Sequence, residues 1–286
     1  MDDAPPAPSD AVALPRGWRV VAAAAFAASR LNLPLMLAVL VFTTAPVTPI
    51  MVIRTFVLFT LLPGCGAWLV RRACAARVRV AGGTLTVTRP GFDVAVPTTS
   101  IARLAPWWLP LPCPGVDVVL GSGRRLSPEL GAEDPAPLLR ALADAGVAAA
   151  GAALAHPMVV WATARAAWGR WRWPHLVVRF PLFALLPTAV LFNAHQHIAY
   201  GGLLGQYYLL GLRAYVVTFA IYWSTVTVYQ VLYASVLRGL AELGCVLAAA
   251  VAPSRATRVR RAAEHVVRVL YYAGVPVMLA LRFAPW

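Results

Sequence analysis

Two histidines, His195 and His197, flank Gln196 in the segment Asn193-Ala-His-Gln-His197. Imidazole is the side chain best suited to hold a metal or move a proton near neutral pH. In an extended chain, residues two apart share one side, whereas on a helix they diverge by about 200°. Two imidazoles alone leave a metal short of a third ligand. The neighbouring segments add only Asn193, Gln206 and tyrosines, so no metal site is expected. Three readings remain for Asn193, His195, Gln196, His197 and Gln206: hydrogen-bonded histidines at a helix exit, a polar binding site, or a pH-sensitive contact. A second pattern follows. Tyr208, Tyr215, Tyr222 and Tyr229 recur every seven residues, with Gly211, Thr218 and Thr225 between them. That spacing draws one stripe of hydroxyl-bearing and small residues along a helix. In lipid such a face packs against other helices or lines a polar cavity.

Other chemistry is thin. Ser224 and Ser235 lack the context of a nucleophile elbow, and no phosphate-cradling loop or catalytic carboxylate pair stands in the chain. Glu264-His265 is the one adjacent acid and base near the membrane, and it reads more simply as a first-turn carboxylate at a helix N-terminus. Cys65, Cys74, Cys113 and Cys245 are scattered without metal-ligand spacing, which argues against both a zinc site and a disulfide framework. No cofactor is implied. The densest cluster is Trp161, Arg165, Trp168, Arg170, Trp171, Arg172 and Trp173, four tryptophans and three arginines in thirteen residues. Stacking aromatics between arginines would suit nucleic acid, but beside a membrane span the same composition fits the headgroup level.

Composition decides that context. Apolar residues make up 60% of the chain and the mean hydropathy is +0.70, well above soluble domains, where about half the residues are apolar. Basic residues outnumber acidic ones 25 to 11, and all of the basic ones are arginine. They crowd the ends of apolar segments, where they set topology and touch anionic lipid. The carboxylates lie in the tail and a central polar stretch, save Glu242 and Glu264.

Apolar runs of about twenty residues, enough to cross about 30 Å of hydrocarbon, occur at about Val20–Phe42, Ile50–Val70, Phe180–Ile198, Ala214–Leu237 and Val266–Leu281. Arg30 is awkward in the first of these, since an arginine near mid-span costs about 3 kcal/mol on the translocon scale. Arg16 and Arg19 precede the first hairpin, and Arg71, Arg72, Arg77 and Arg79 follow it. The Thr43–Pro49 connection is uncharged. Both flanks are therefore expected in the cytoplasm. Leu203–Arg213 is too short to span. Gly239–Ala252 reads as an inner-face or re-entrant helix, or as a continuation of the fourth span. Arg255, Arg258, Arg260 and Arg261 anchor the inside, and the C-terminus falls outside. Met1–Pro15 lacks the basic region of a secretory signal and reads as a disordered tail.

Between the hairpin and the later spans the apolar period changes to two. Val78/Val80, Leu85/Val87 and Val94/Val96, separated by Gly82-Gly83 and Pro90-Gly91, read as antiparallel strands. Ile101–Trp108 and Val116–Leu120 continue the pattern. Asp134 and Pro135 open a helix carrying Leu138, Leu139 and Leu142, with Gly146 past its end. The segments Gly83-Thr-Leu-Thr-Val-Thr-Arg-Pro-Gly91, Val96-Pro-Thr-Thr-Ser-Ile-Ala-Arg-Leu104 and Val116-Asp-Val-Val-Leu-Gly-Ser-Gly-Arg124, with the Asp134-Pro135 helix start, resemble bacterial PH-like domains. That resemblance covers about a quarter of the chain and implies a cytoplasmic scaffold or interaction module. Arg89, Arg103, Arg124 and Arg125 are dispersed, unlike the basic cluster of phosphoinositide-binding PH domains.

The expected fold is a mainly α-helical integral membrane protein of about five transmembrane helices carrying a small α+β PH-like domain. The divisions are a tail at 1–15, a hairpin at 16–72, the domain at 77–146, a linker and interfacial segment at 147–175 and a membrane domain at 176–286. The expected function is non-enzymatic: an inner-membrane protein whose module binds a protein partner or a second copy. The alternative is a transporter or small-molecule binder. Lipid is the other expected partner, and nucleic acid is not.

Overall fold

A computed structural model describes residues 9–43, 47–168 and 173–283. In chain order it runs β1 (Ser9–Leu14), α1 (Arg16–Phe42), α2 (Pro49–Phe56), a π turn (Val57–Leu61), α3 (Leu62–Ala73), β2 (Ala75–Ala81), β3 (Thr84–Arg89), β4 (Phe92–Pro97), β5 (Ile101–Pro106), β6 (Gly115–Leu120), β7 (Glu129–Gly131), α4 (Ala136–Asp144), α5 (Ala149–Leu154), α6 (Pro157–Ala166), α7 (Trp173–Val177), a second π turn (Val178–Leu182), α8 (Phe183–Tyr200), α9 (Gly205–Val251) and α10 (Ala256–Phe283). Helix accounts for 69% of the chain, which makes it mainly α as expected. Two compact units can be told apart: residues 1–29, 63–169 and 242–263, and residues 30–62, 170–241 and 264–286.

The first unit holds one curled, antiparallel sheet of seven strands in the order β4-β3-β2-β1-β7-β6-β5. Strands β2 to β6 fall where the alternation placed them. Val78, Val80, Leu85, Val87 and Val96 point into the core, while Arg77, Arg79 and Thr88 are exposed. Helix α4 adds Leu138, Leu139 and Leu142 to that core. It begins one residue later than expected, yet Asp134 still caps it: its Oδ1 accepts the Ala136 N–H at 3.0 Å and the Thr163 hydroxyl at 2.9 Å. Gly146 follows at φ +84°, the left-handed turn that glycine takes freely.

The sheet corrects two boundaries. Residues 9–14, expected in a disordered tail, form β1, the central strand. It pairs with β2 from Ser9↔Val78 to Val12↔Ala75, and with β7 from Val12↔Gly131 to Leu14↔Glu129. The chain therefore does not carry a domain after its hairpin; the hairpin is inserted between the first two strands of the domain. Single residues make the junctions, Pro15 between β1 and α1 and Cys74 between α3 and β2. The Ala13 N–H donates to the Cys74 carbonyl at 2.8 Å. The linker expected at 147–175 is also structured up to Ala166, because Val147, Ala150, Ala153 and Val159 complete the sheet's core.

Among the described residues four helices are long and apolar enough to cross a membrane: Arg16–Phe42, Pro49–Ala73, Pro174–Tyr200 and Gly205–Val251. Of the five expected spans, the last lies in α10, which is not among these four. Helix α9 absorbs three expected segments. Leu203–Arg213 lies mostly inside it, and Gly239–Ala252 continues it to Val251. At 1.5 Å per residue the part beyond Gly211, residues 212–251, reaches about 60 Å, about twice one crossing. The helix is broken at Gly211, whose φ of 81° and ψ of 171° lie in a region open essentially to glycine alone. Gly211→Ala is expected to cost about 1–3 kcal/mol, read as a lowered unfolding midpoint of the purified protein in detergent.

In the second unit Leu33, Met36 and Val52 of the hairpin pack with Val228 and Leu232 of α9. The π turn at Val178–Leu182 contains Pro181, which has no N–H to return to the preceding turn. Carbonyls of this turn also accept side-chain donors. The Trp223 indole donates to the Pro181 carbonyl at 2.7 Å, and the Tyr271 hydroxyl to the Arg179 carbonyl at 2.9 Å.

Candidate functional site

The second unit gathers part of the histidine segment into a buried polar network. Gln196 on α8 and Gln206 on α9 are both buried. The Gln196 Nε2 donates to the Gln206 Oε1 at 2.7 Å, the Gln206 N–H donates to the Gln196 Oε1 at 3.3 Å, and the Gln206 Nε2 donates to the Thr218 hydroxyl at 2.9 Å. Each amide thus satisfies the other, which apolar surroundings demand. The histidines do not converge. Both lie on helical α8, so the two-residue spacing turns them apart. His195 sits 5.2 Å from the Tyr222 ring and 5.8 Å from Tyr200. His197 is exposed, and its Nδ1 lies 2.9 Å from the Asn193 carbonyl. A carbonyl can only accept, so this nitrogen carries the hydrogen. Among the described residues no three His, Cys, Asp or Glu side chains group closely enough to hold a metal.

The tyrosine stripe divides along its length. Tyr215 and Tyr222 meet the buried Phe192 ring at 5.0 and 6.0 Å, and Thr218 joins the glutamines. Thr225 is buried and donates to the Ile221 carbonyl of its own helix at 2.7 Å. Tyr208 and Tyr229 at the two ends are exposed.

A second buried polar cluster was not visible in the sequence. Arg179, only 7% exposed, places its guanidinium carbon 4.5 Å from the Tyr271 ring centre and 5.6 Å from that of Tyr272. Such a cage holds a cation by its ring quadrupoles. Tyr271 is fully buried, and its hydroxyl also lies 3.2 Å from the Gln230 Oε1. The one available signal was an arginine inside an apolar run, two residues before a proline; its partner Tyr271 lies 92 positions away. Glu264 also departs from expectation. It lies well inside α10, buried, and binds Arg238 at 2.7 Å instead of sitting in a first turn.

In the first unit the expected interface residue Trp161 is buried, and its indole donates to Glu242 at 3.1 Å. Arg165 stands 5.3 Å over its ring. Trp168 is half-buried. Arg170, Trp171 and Arg172 lie outside the described residues, as does the Trp173 side chain. On the sheet, the Trp107 indole donates to Asp117 at 2.6 Å, and the Arg19 guanidinium stacks 3.7 Å over that indole while binding Glu129 at 2.7 Å. Gly115 and Gly131 make room there, since a Cβ would stand 2.6 Å from the Trp107 ring at one and 2.6 Å from the Cys113 sulfur at the other.

Burial, with Glu133 nearby, pushes the Cys113 thiol from an ordinary 9.0 to about 11, against the opposing pull of Arg71, Arg19 and Arg165. At pH 8 about one thiol in a thousand is then ionised. In a protein whose other cysteines are replaced, Cys113 should alkylate far more slowly than exposed Cys65 does in its own single-cysteine version. Because the folded value is the higher one, this thiol's contribution to stability is whole below pH 9 and is lost as pH rises through about 11.

The sheet has two edges. Helix α5 packs on β5, while β4 is hydrogen-bonded on one side only, to β3, over six residue pairs. A strand in that position presents unpaired N–H and C=O groups to any extended segment that meets it. Comparisons with protein-family models, with curated proteins and with solved structures find no match to this chain. Fold and sites together define a class: a membrane protein with long apolar helices and a curled antiparallel sheet whose first two strands flank its first hairpin in sequence.

Proposed function

We propose that this chain is a non-enzymatic protein of a bacterial inner membrane, whose sheet domain is a PH-like module facing the cytoplasm and holding a partner protein or a second copy of itself there. One observation carries the reading. The hairpin enters and leaves the sheet through single residues, Pro15 and Cys74, so the module is mounted on the membrane without a flexible linker. The PH-like assignment draws support from seven antiparallel strands with α4 packed on their core. Arg16, Arg19, Arg71 and Arg72 at the hairpin's ends support the cytoplasmic side.

Strand β4 supplies the docking edge, to which an extended segment adds by backbone pairing. The chain has no lysine, so amine cross-linkers reach only its N-terminus, and a photo-reactive residue is the suitable probe. Placed at exposed Ala95 on β4 it should give one dominant protein adduct in native membranes, and at exposed Arg140 on α4 none. Equal adducts at both positions, or none from Ala95, would remove the edge from this account.

The buried pair Gln196 and Gln206 favours a second reading, a small-molecule or transport site inside the membrane. Gln206→Leu tells the two apart. As packing alone it costs about 1 kcal/mol of stability and leaves adduct formation intact; as a site it abolishes ligand binding.

A further inference from the structure

Between Ala75 and Trp168 the large apolar side chains that stand exposed, among the described residues, are two neighbours: Trp108 at 73% and Leu109 at 62%. Single exposed apolar residues are ordinary on any surface. An adjacent tryptophan and leucine on a proline-stiffened loop are not. The loop, residues 107–114, joins β5 to β6 and carries Pro110, Pro112 and Pro114. Its base is fixed. The Trp107 N–H donates to the Gly115 carbonyl at 2.9 Å, and the Trp107 indole is held between Asp117 and Arg19. The Trp108 ring leans edge-on against His156 at 4.6 Å. The sheet domain thus holds these two side chains outward on a rigid support.

Their position names the occupant. Arg19, stacked on Trp107, lies in the first turn of α1, a membrane-crossing helix. Cys113 in the same loop feels the charges of Arg19 and of Arg71, which closes α3 at the other end of the hairpin. The loop is therefore at the level where both helices meet the headgroups. Trp18 and Trp68 are exposed on those same helix ends, with Arg72 5.7 Å over the Trp68 ring. Tryptophan concentrates at that depth because its ring is apolar and its N–H polar.

We propose that Trp108 and Leu109 dip into the bilayer interface and form a third contact of the sheet domain with the membrane, beside the two junctions at Pro15 and Cys74. The occupant is lipid; a protein partner would be a different finding, which the test separates. The inference does not depend on β4 or on what binds there.

The test uses the full chain with Cys65→Ser, reconstituted alone in vesicles of phosphatidylcholine and phosphatidylglycerol. An environment-sensitive fluorophore is attached through Leu109→Cys, or through Thr99→Cys as the control. Thr99 is exposed at the opposite end of β5, about 20 Å away at 3.3 Å per residue. At position 109 we expect blue-shifted emission and quenching by lipid spin-labelled near the headgroup several-fold stronger than at position 99. Water-like emission with equal quenching at both sites overturns the proposal. So does blue-shifted emission at 109 without lipid quenching, which would mean burial against protein. A label-free readout guards against disturbance by the fluorophore. The emission lost on Trp108→Phe should be part of the emission that brominated lipid quenches in the parent, and if the same fraction is quenched with and without Trp108 the loop does not touch the bilayer.

Discussion

A chain that begins at Pro15 should fail to fold its sheet domain. Strand β1 is the middle strand of seven, and without it the sheet parts into β4-β3-β2 and β7-β6-β5. Two hydrogen-bonded ladders go at once, with β2 and with β7. The burial of Ala11, Ala13 and Leu14 goes with them. Domains of this size are stable by about 5–15 kcal/mol, and a Leu→Ala exchange at a fully buried site alone costs about 2–5 kcal/mol. Leu14→Ala should therefore lower the unfolding midpoint clearly, and removal of the strand should abolish the transition. Trypsin reports it directly, because Arg77, Arg79 and Arg89 lie on β2 and β3, where an intact sheet resists cleavage. Rapid cleavage there is expected for the truncated chain, and none for Asp10→Asn, whose side chain is exposed. Unchanged resistance after truncation would mean that β1 is dispensable.

Glu242→Ala should destabilise the protein by about 3–5 kcal/mol. Arg260 is 3% exposed and binds both carboxylate oxygens of Glu242, at 2.6 and 3.0 Å. The Trp161 indole donates to the same carboxylate. Taking the carboxylate away leaves a buried guanidinium without its bidentate acceptor and an indole N–H without its oxygen, and both losses exceed what the pair itself contributes. The sign of the double replacement is the sharper check. Arg260→Met made together with Glu242→Ala should recover much of the loss, since it also removes the buried guanidinium whose carboxylate was taken away. Thermal unfolding of the three variants in one detergent measures both effects. A Glu242→Ala protein within about 0.5 kcal/mol of the parent would show the pair to be solvated.

The elements that the sequence made legible are those whose evidence is local. The alternation at Val78/Val80 and Leu85/Val87 needs no partner to be recognised, and Asp134-Pro135 with Gly146 marks a helix from its own residues. Strand β1 offered no such signal. Ser-Asp-Ala-Val-Ala-Leu is short and small-residued beside prolines, and its place depends on β2 and β7, more than sixty and one hundred residues on. The same holds for charge pairs. Arg19 with Glu129 and Arg238 with Glu264 are separated by 110 and 26 positions, so each residue alone reads as a helix-end or tail charge. Period seven revealed the tyrosine stripe, yet it could not show that Phe192 fills the centre while both ends stay open. Trp161 shows the opposite error. Composition around it spoke for an interface, and one half-buried carboxylate, Glu242, turns it inward.

The insertion of the hairpin between β1 and β2 also has a consequence for biogenesis. The N-terminal strand leaves the ribosome first, yet its two neighbours follow only after both apolar helices have been made. Until Gly131 emerges, β1 has at most one partner. A first helix threaded in the wrong direction would carry β1 to the far side of the bilayer and leave β2 and β7 with a gap that no other strand fills. Closure of the sheet thus requires that the hairpin return β2 to the side on which β1 was left.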